Sequence, residues 1–205
     1  MSRRGFGARP DWAALLEPAG VTGELAARLA GFLDLLTTWG GAVDLVGRLD
    51  AADLAADVGD ALAALPWLGD SGRLLDVGSG NGFPAVPLLL ARPGLGGVLL
   101  EPRERRWAFL KEAVRELGLA AEVRRERLDA HRGAGYDVMT VRGVALGEWR
   151  PAVGRVVRDD GVVLWWTSAA NAAALASAAA ADRVVHSRLP NPASGHLAVW
   201  RRRST

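Results

Sequence analysis

The chain lacks several residue types on which function is often built. It contains no cysteine, and its three histidines, His131, His186 and His196, are widely separated. Disulfides, thiolate metal sites and cysteine nucleophiles are therefore excluded, and we expect no metal site. No apolar run reaches the ~18 residues that span a bilayer, and no apolar segment typical of a signal peptide follows the basic residues 1–10. We therefore expect a cytoplasmic protein without a membrane partner.

Groups that titrate between neutral pH and pH 10 are also scarce. With one lysine, Lys111, and one tyrosine, Tyr136, the sequence pI is about 9.9 although the net charge is only +2. The charge is unevenly distributed: residues 1–10 carry +3, residues 183–205 carry +5 and residues 11–182 carry −6. The high pI therefore reflects basic ends on an acidic body.

This distribution predicts where nucleic acid could bind. Residues 11–70 contain ten acidic residues and two arginines, a net charge of −8 that would repel phosphates. If nucleic acid binds, we expect contacts at Arg3, Arg4 and Arg201–Arg203. Acidic side chains that face away from RNA remain an alternative.

The 205 residues are enough for one domain with a modest extension. Residues 1–70 have a helical pattern: Thr22 is a good helix N-cap, and apolar residues recur every three or four positions up to Gly40. From residue 71 to residue 205, buried strands alternate with helices, which predicts a parallel sheet covered by helices on both faces. The last two strands predict an antiparallel edge.

A glycine-rich turn follows the first predicted strand. Gly78, Gly80 and Gly82 alternate after Asp76, so the backbone could approach a ligand closely. Asp76 would repel a pyrophosphate but suits a cationic amino group. Glu101, 25 residues later at the end of the next strand, could accept hydrogen bonds from both ribose hydroxyls. Together these residues indicate S-adenosylmethionine; a turn that only packs helix on strand is the alternative.

Four segments carry a resemblance to a known family. Leu75–Leu88, with the pattern D-V-G-S-G-x-G-F-P-x-x-P-L, resembles the 16S rRNA guanine-N7 methyltransferases, the glucose-inhibited division protein B (GidB) family. Glu101–Leu110, Arg127–Asp129 and Tyr136–Gly143 resemble that family's later motifs in the same order. The similarity covers roughly residues 20 to 200 and is strongest from 73 to 143.

The resemblance implies a class I S-adenosylmethionine-dependent methyltransferase fold: a Rossmann-like α/β domain with a seven-stranded, mostly parallel sheet. Residues 1–70 would be a helical N-terminal extension and residues 71–205 the methyltransferase domain. It also implies which residues bind S-adenosylmethionine and release S-adenosylhomocysteine: Asp76, Gly78, Ser79, Gly80, Gly82, Phe83, Glu101, Pro102, Leu128, Asp129 and Arg142. The glycine turn would line the methionine end, Glu101 would hold the ribose, and Arg142 would lie between cofactor and acceptor.

The acceptor side departs from the family. The family's N-L-T, K-G and E-R-H appear as Asp44-Leu45-Val46, Thr167-Ser168 and Ser194-Gly195-His196. We therefore expect a diverged relative that methylates a small, nitrogen-rich, nucleobase-like acceptor. The alternatives are a 16S rRNA guanine-N7 methyltransferase that acts on the small ribosomal subunit, and a non-catalytic cofactor-binding protein that works through a partner.

Candidate acceptor residues follow from position and chemistry. Trp165 and Trp166 end a strand, so their rings point to opposite faces, and one could stack on a flat acceptor; core packing is the alternative. We predict Asp44, Trp165, Trp166 and Thr167 to bind substrate, and Arg142 and His196 to be catalytic. Guanine N7 carries no proton and requires no base, whereas an oxygen or amine acceptor would require one, for which His196 and Asp44 are candidates.

Overall fold

A computed structural model describes four stretches of the chain. These are residues 9–43, 50–178, 183–191 and 195–202. Four residues singled out from the sequence lie outside them: Arg3, Arg4, Asp44 and Arg203. Their roles stay predictions.

Three helices precede the sheet: α1 (Trp12–Leu16), α2 (Gly23–Val43) and α3 (Ala51–Leu62). The side chains of Asp11 and Asp50 cap α1 and α3 by accepting hydrogen bonds from backbone N–H groups of the first turn. One face of α2 buries apolar side chains at helical spacing, as predicted: Leu29, Phe32, Leu33 and Leu36.

The remaining elements alternate along the chain. They are β1 (Ser71–Val77), α4 (Ala85–Ala91), β2 (Gly94–Leu100), α5 (Glu104–Glu116), β3 (Ala121–Arg124), β4 (Tyr136–Arg142), α6 (Leu146–Trp149), α7 (Val153–Val156), β5 (Val157–Thr167), α8 (Ala169–Ala178), β6 (Arg183–Arg188) and β7 (His196–Arg201). The strands form one seven-stranded sheet in the order β3-β2-β1-β4-β5-β7-β6. The first five are parallel, and β7 pairs antiparallel with β5 and β6, as the sequence predicts.

Helices cover both faces of the sheet. One face packs against α2–α5, so the front helices share a hydrophobic core with β1, β4 and β5. The other face packs against α6–α8. Side chains alternate between the faces: Leu164 and Trp166 of β5 belong to the first core and Trp165 to the second.

The order of the strands indicates where in the sheet a ligand site is expected. After β3 the chain returns to the middle of the sheet, and β4 pairs with β1 on the side opposite β2. The loops that leave β1 and β4 therefore diverge at this switch point, where parallel sheets open a crevice at their carboxyl ends. No helix among the described residues is both long and apolar enough to cross a membrane.

Candidate cofactor and acceptor site

The glycine turn after β1 requires left-handed backbone. Gly78, Gly80 and Gly82 have φ of 72°, 55° and 95°, which favour glycine. A Cβ on Gly78 would also lie only 2.8 Å from Cγ2 of Val144, because the loop after β4 lies directly against the turn. The alternating glycines recognised in the sequence thus allow this fold of the loop.

Two predicted cofactor residues hold the turn in place. Ser79 is buried, and its N–H donates to the carbonyl of Leu100 at the end of β2 (2.9 Å). Phe83 is buried and packs edge-on against Phe32 of α2, with ring centroids 5.2 Å apart. The Ser79 hydroxyl also donates to the Asp76 carbonyl at 3.3 Å, and neither the Ser79 nor the Phe83 side chain lines the cleft described below.

Asp76 is buried with one carboxylate oxygen unpaired. Its Oδ1 accepts a hydrogen bond from the Thr140 hydroxyl at 2.6 Å, whereas Oδ2 has no partner among the described residues. Burial raises the pKa of Asp76 to about 7; the Thr140 hydrogen bond and the nearby Ser79 hydroxyl oppose the rise, and the negative charge of Glu101 adds to it. A buried, unpaired carboxylate oxygen suits a ligand that brings a cationic or hydrogen-bond donor group.

Glu101 joins the turn to the start of α5. Its Oε2 accepts from the Gly80 N–H at 3.0 Å, and its Oε1 accepts from the Arg103 N–H at 2.7 Å. The side chain is buried. Because each carboxylate oxygen can accept more than one hydrogen bond, Glu101 retains acceptor capacity for ribose hydroxyls.

A cleft of about 250 Å³ opens at the carboxyl ends of β1, β2 and β3. Four predicted cofactor residues line it: Gly78, Pro102, Leu128 and Asp129. The sequence analysis missed six others: Val77, Leu100, Glu126, Arg127, Val144 and Glu148. Most of these lie at or just beyond the carboxyl ends of strands, which is the positional feature that could have identified them.

Arg142, at the end of β4, forms an ion pair with the front helices. Its Nη2 donates to Oδ1 of Asp57 in α3 at 2.5 Å, and both side chains are partly buried. Burial raises the pKa of Asp57, against the attraction of Arg142, while the negative charges of Asp60 and Asp53 add to the rise. Sequence reasoning missed this contact because 85 positions separate the partners.

The tryptophan pair differs from the stacking expectation. The ring of Trp165 lies in the core, 5.1 Å from the ring of Trp149, and Trp166 is buried with its indole N–H donating to the Asp60 carbonyl at 2.9 Å. Neither ring has an open face for an acceptor. Core packing, the alternative, is what the structure shows, because helices cover both sides of this strand.

Thr167 and His196 also lie apart from Arg142. Thr167 of β5 and His196 of β7 are direct cross-strand neighbours, so their side chains lie on the same face of the sheet. Thr167 directly follows Trp166, which pairs with Arg142 of β4. Alternation therefore places both on the face opposite Arg142. Thr167 Oγ1 accepts from Asn171 Nδ2 at 3.0 Å. The two predicted catalytic residues, Arg142 and His196, therefore lie on opposite faces of the sheet.

The described part of the basic C-terminus lies at the opposite edge of the sheet. Arg201 pairs with Val162 near the start of the parallel run of β5, and Arg202 forms an ion pair with Asp159 at 3.0 Å. Because the cleft opens at the carboxyl ends of the strands, these arginines do not border it. Contacts from Arg201 and Arg202 to nucleic acid, which charge alone predicts, would therefore lie away from the cleft.

Comparisons with known proteins agree with this geometry. The family model for rRNA small subunit methyltransferase G (GidB) matches residues 25–192. A ribosomal RNA small subunit methyltransferase G from Stenotrophomonas maltophilia is 37% identical over 153 residues, 73% of this chain and 72% of the relative. Another from Nitrosospira multiformis is 42% identical over 125 residues, 60% of this chain and 57% of the relative.

Solved structures resemble the chain in fold. A tRNA methyltransferase from Aquifex aeolicus superposes with a TM-score of 0.60 at 11% identity, over 72% of this chain and 69% of that one. M. jannaschii TYW2, solved in complex with AdoMet, superposes with a TM-score of 0.57 at 12% identity, over 72% of this chain and 76% of that one. With the strand order, these matches confirm the predicted class I methyltransferase fold.

Proposed function

Because the chain belongs to the rRNA small subunit methyltransferase G family, we propose that this methyltransferase modifies a guanine N7 of 16S rRNA. Sequence reasoning favoured a small nitrogen-rich acceptor and kept rRNA as the alternative. The names of the relatives favour rRNA, and so we reverse that order. A methyltransferase of the ribosome would act in the cytoplasm, which we propose as its location.

We propose that S-adenosylmethionine binds in the cleft. The observation that carries this proposal is the unpaired, buried Oδ2 of Asp76, which directly precedes Val77 and Gly78 of the cleft lining, because it offers a negative partner to the cationic end of the cofactor. Glu101 would accept hydrogen bonds from the ribose, and Leu128 and Asp129 would border the adenine. When bound, the cofactor supplies a methyl group on a positively charged sulfur that is already a good leaving group.

The protein's part in the reaction is mainly alignment. The N7 lone pair attacks the methyl carbon as the carbon–sulfur bond breaks, and the electrons of that bond stay on sulfur. N7 carries no proton, so no side chain has to act as a base, and the distance of His196 from Arg142 is no obstacle. The guanidinium of Arg142 retains N–H donors, which suit O6, the acceptor beside N7.

We propose that residues 1–70 form the helical extension and residues 71–205 the methyltransferase domain. The extension shares the sheet's core, and its helix α3 places Asp57 on Arg142 and Asp60 on Trp166. In this arrangement α3 covers the acceptor edge. The extension would therefore shape the acceptor site and not only recruit substrate.

A small acceptor is a second candidate because Asp57 neutralises Arg142. A free arginine would attract phosphates, whereas a paired one offers hydrogen bonds with little net charge. A nucleobase-like metabolite would fit such an edge without any RNA backbone.

Transfer of a labelled methyl group separates these functions. We would incubate the protein and labelled S-adenosylmethionine with small ribosomal subunits from a strain without this family's activity, with purified 16S rRNA, and with guanosine and related small heteroaromatics. Gly80→Arg serves as the inactive control, since a long side chain would fill the glycine turn. Borohydride and aniline then cleave RNA at N7-methylguanosine and locate the label.

The rRNA proposal expects label at one guanine of 16S rRNA. Transfer to a small heteroaromatic, with none to subunits or rRNA, would overturn it in favour of the second candidate. Cofactor binding without transfer to any acceptor would instead favour the non-catalytic alternative.

A further inference from the structure

His131 is buried beside the cleft and uses both ring nitrogens. It has no solvent exposure; its Nδ1 lies 2.7 Å from Oε1 of Glu126, and its Nε2 lies 2.9 Å from the hydroxyl of Tyr136. A neutral imidazole satisfies both contacts when the Tyr136 hydroxyl donates to Nε2 and Nδ1–H donates to Glu126. The reaction described above leaves this histidine without a role.

The same segment is tied down from a second side. Arg155 of α7 donates to the carbonyl of His131 at 2.5 Å and to the carbonyl of Leu128 at 2.9 Å. The guanidinium of Arg73 lies 4.6 Å from the ring centre of Tyr136 and donates to the carbonyl of Ala134 at 2.9 Å. Side chains from β1, β4 and α7 therefore fix the loop between β3 and β4.

This loop forms one wall of the cleft. Residues 126–129 all line it, and His131 contacts Glu126 directly while Arg155 bonds to Leu128. If the imidazole lost its partners, Glu126 would keep only its longer ion pair with Arg124, at 3.9 Å, and the loop would lose its connection to Tyr136. His131 is therefore one of the side chains that hold this wall of the cleft in place, together with Arg155 and Arg73.

We infer that His131 is a positioning residue for cofactor binding. It acts through Glu126 and the 126–129 wall, touches no reacting atom, and sets affinity for the nucleoside end of the ligand and not the rate of methyl transfer. The inference rests on the proposed function only in taking S-adenosylmethionine as the ligand of the cleft. The acceptor does not enter it.

Gly133 offers a way to disturb the network without deleting any member. A Cβ at this position would overlap Nε2 of His131 and lie 2.5 Å from the hydroxyl of Tyr136. Gly133→Ala should therefore separate the two side chains. Gly154→Ala is the matched control, because it adds the same methyl group next to Arg155, in α7, where no atom lies within 4 Å.

A second variant guards against failure of the first to fold. Tyr136→Phe removes only the hydroxyl and leaves the ring beneath Arg73. Both variants act through the same imidazole, so their effects on binding should not add in the double variant.

The measurements are the dissociation constant for S-adenosylmethionine by calorimetry, KM and kcat for methyl transfer, and the unfolding midpoint. For Gly133→Ala and Tyr136→Phe we expect the dissociation constant and KM to rise about tenfold, as when a buried group loses its hydrogen-bond partner. We expect kcat at saturating cofactor within about twofold of the wild type. Gly154→Ala should match the wild type in all four quantities.

The outcomes separate the two proposals. Lower unfolding midpoints with unchanged affinity would show a purely structural network and overturn the inference, as would a fall in kcat with unchanged KM. Wild-type protein that binds no S-adenosylmethionine would overturn the cofactor site itself. Wild-type binding with no transfer to rRNA would overturn only the proposed acceptor, and the binding comparison would stand.

Discussion

Replacing Asp76 with asparagine should stabilise the free protein and weaken cofactor binding at the same time. In the folded chain this carboxyl is buried, and its pKa lies at about 7 instead of 3.8. The asparagine side chain would keep an acceptor for the Thr140 hydroxyl but could never carry the buried negative charge. Asp76→Asn therefore separates the cost of that charge from the packing of the side chain.

The magnitude follows from the shift of the pKa. Between pH 3.8 and about 7 the folded state holds a proton that the unfolded state has lost, so stability falls as pH rises through this window. Roughly three pH units at about 1.4 kcal/mol per unit give about 4 kcal/mol. Below pH 4 both forms carry a neutral side chain, and there the free energies of unfolding of Asp76→Asn and wild type should agree. Above pH 7 the variant should be more stable by up to that amount.

Cofactor binding should favour the ionised form of Asp76, whereas folding of the free protein favours the neutral form. A cation placed at the unpaired Oδ2 favours the ionised carboxylate, so S-adenosylmethionine should lower the pKa of Asp76 and displace a proton. Calorimetry at pH 6 in buffers of different ionisation enthalpy should detect release of close to one proton, and at pH 8 almost none. Asp76→Asn should release none at either pH and bind at least about tenfold more weakly at pH 8.

Urea unfolding of the free proteins from pH 4 to pH 8 is the decisive assay. Asp53→Asn is the control, because it makes the same change of side chain at an exposed position, in the first turn of α3, and so removes no buried charge. A constant difference between Asp76→Asn and wild type at all pH values would refute the reasoning. A variant less stable than wild type at pH 8 would also refute it, since the buried charge would then stabilise the fold.

Three further substitutions test the rest of the site. Gly78→Ala should abolish methyl transfer in the labelled-cofactor assay, because the added methyl meets the loop after β4 at positive φ, while Gly147→Ala, with nothing within 4 Å, should remain active. Asp57→Asn should leave the charge of Arg142 uncompensated; binding to small ribosomal subunits should tighten, with the slope of log affinity against log salt steeper by about one. Trp166→Phe should lower the free energy of unfolding by about 1 kcal/mol in urea titrations through loss of one hydrogen bond, without changing acceptor KM; a rise in that KM would revive the stacking hypothesis.

The geometry of the glycine turn could be predicted because it is local. Gly78, Gly80 and Gly82 fold within one turn, and Asp76 and Glu101 end neighbouring strands. A backbone conformation that only glycine adopts easily requires glycine at that position, so it can be read from the sequence. The succession of strands and helices follows for the same reason, since each strand–helix unit has its own periodicity.

The acceptor half could not be predicted, because its contacts join distant parts of the chain. The partner of Arg142 comes from a helix 85 positions earlier, and hydrophobic patterns do not specify which charged side chains meet. The alternation rule correctly placed Trp165 and Trp166 on opposite faces. It could not show that helices cover both faces at this strand, which decides against stacking.

The ion pair between Asp57 and Arg142 fits recognition of a base, whether the acceptor is the proposed rRNA or a small molecule. An arginine already bonded to a carboxylate contributes little attraction for phosphate, yet it keeps N–H donors for a neutral base. Recognition of the target base and attraction of the RNA backbone are then separate tasks on separate surfaces. Of the described arginines, Arg103 and Arg105 are exposed where β2 leads into α5, at the edge of the sheet that carries the cleft. If the substrate is rRNA, as proposed, these two arginines are the described side chains that we expect to contact its phosphates at this edge.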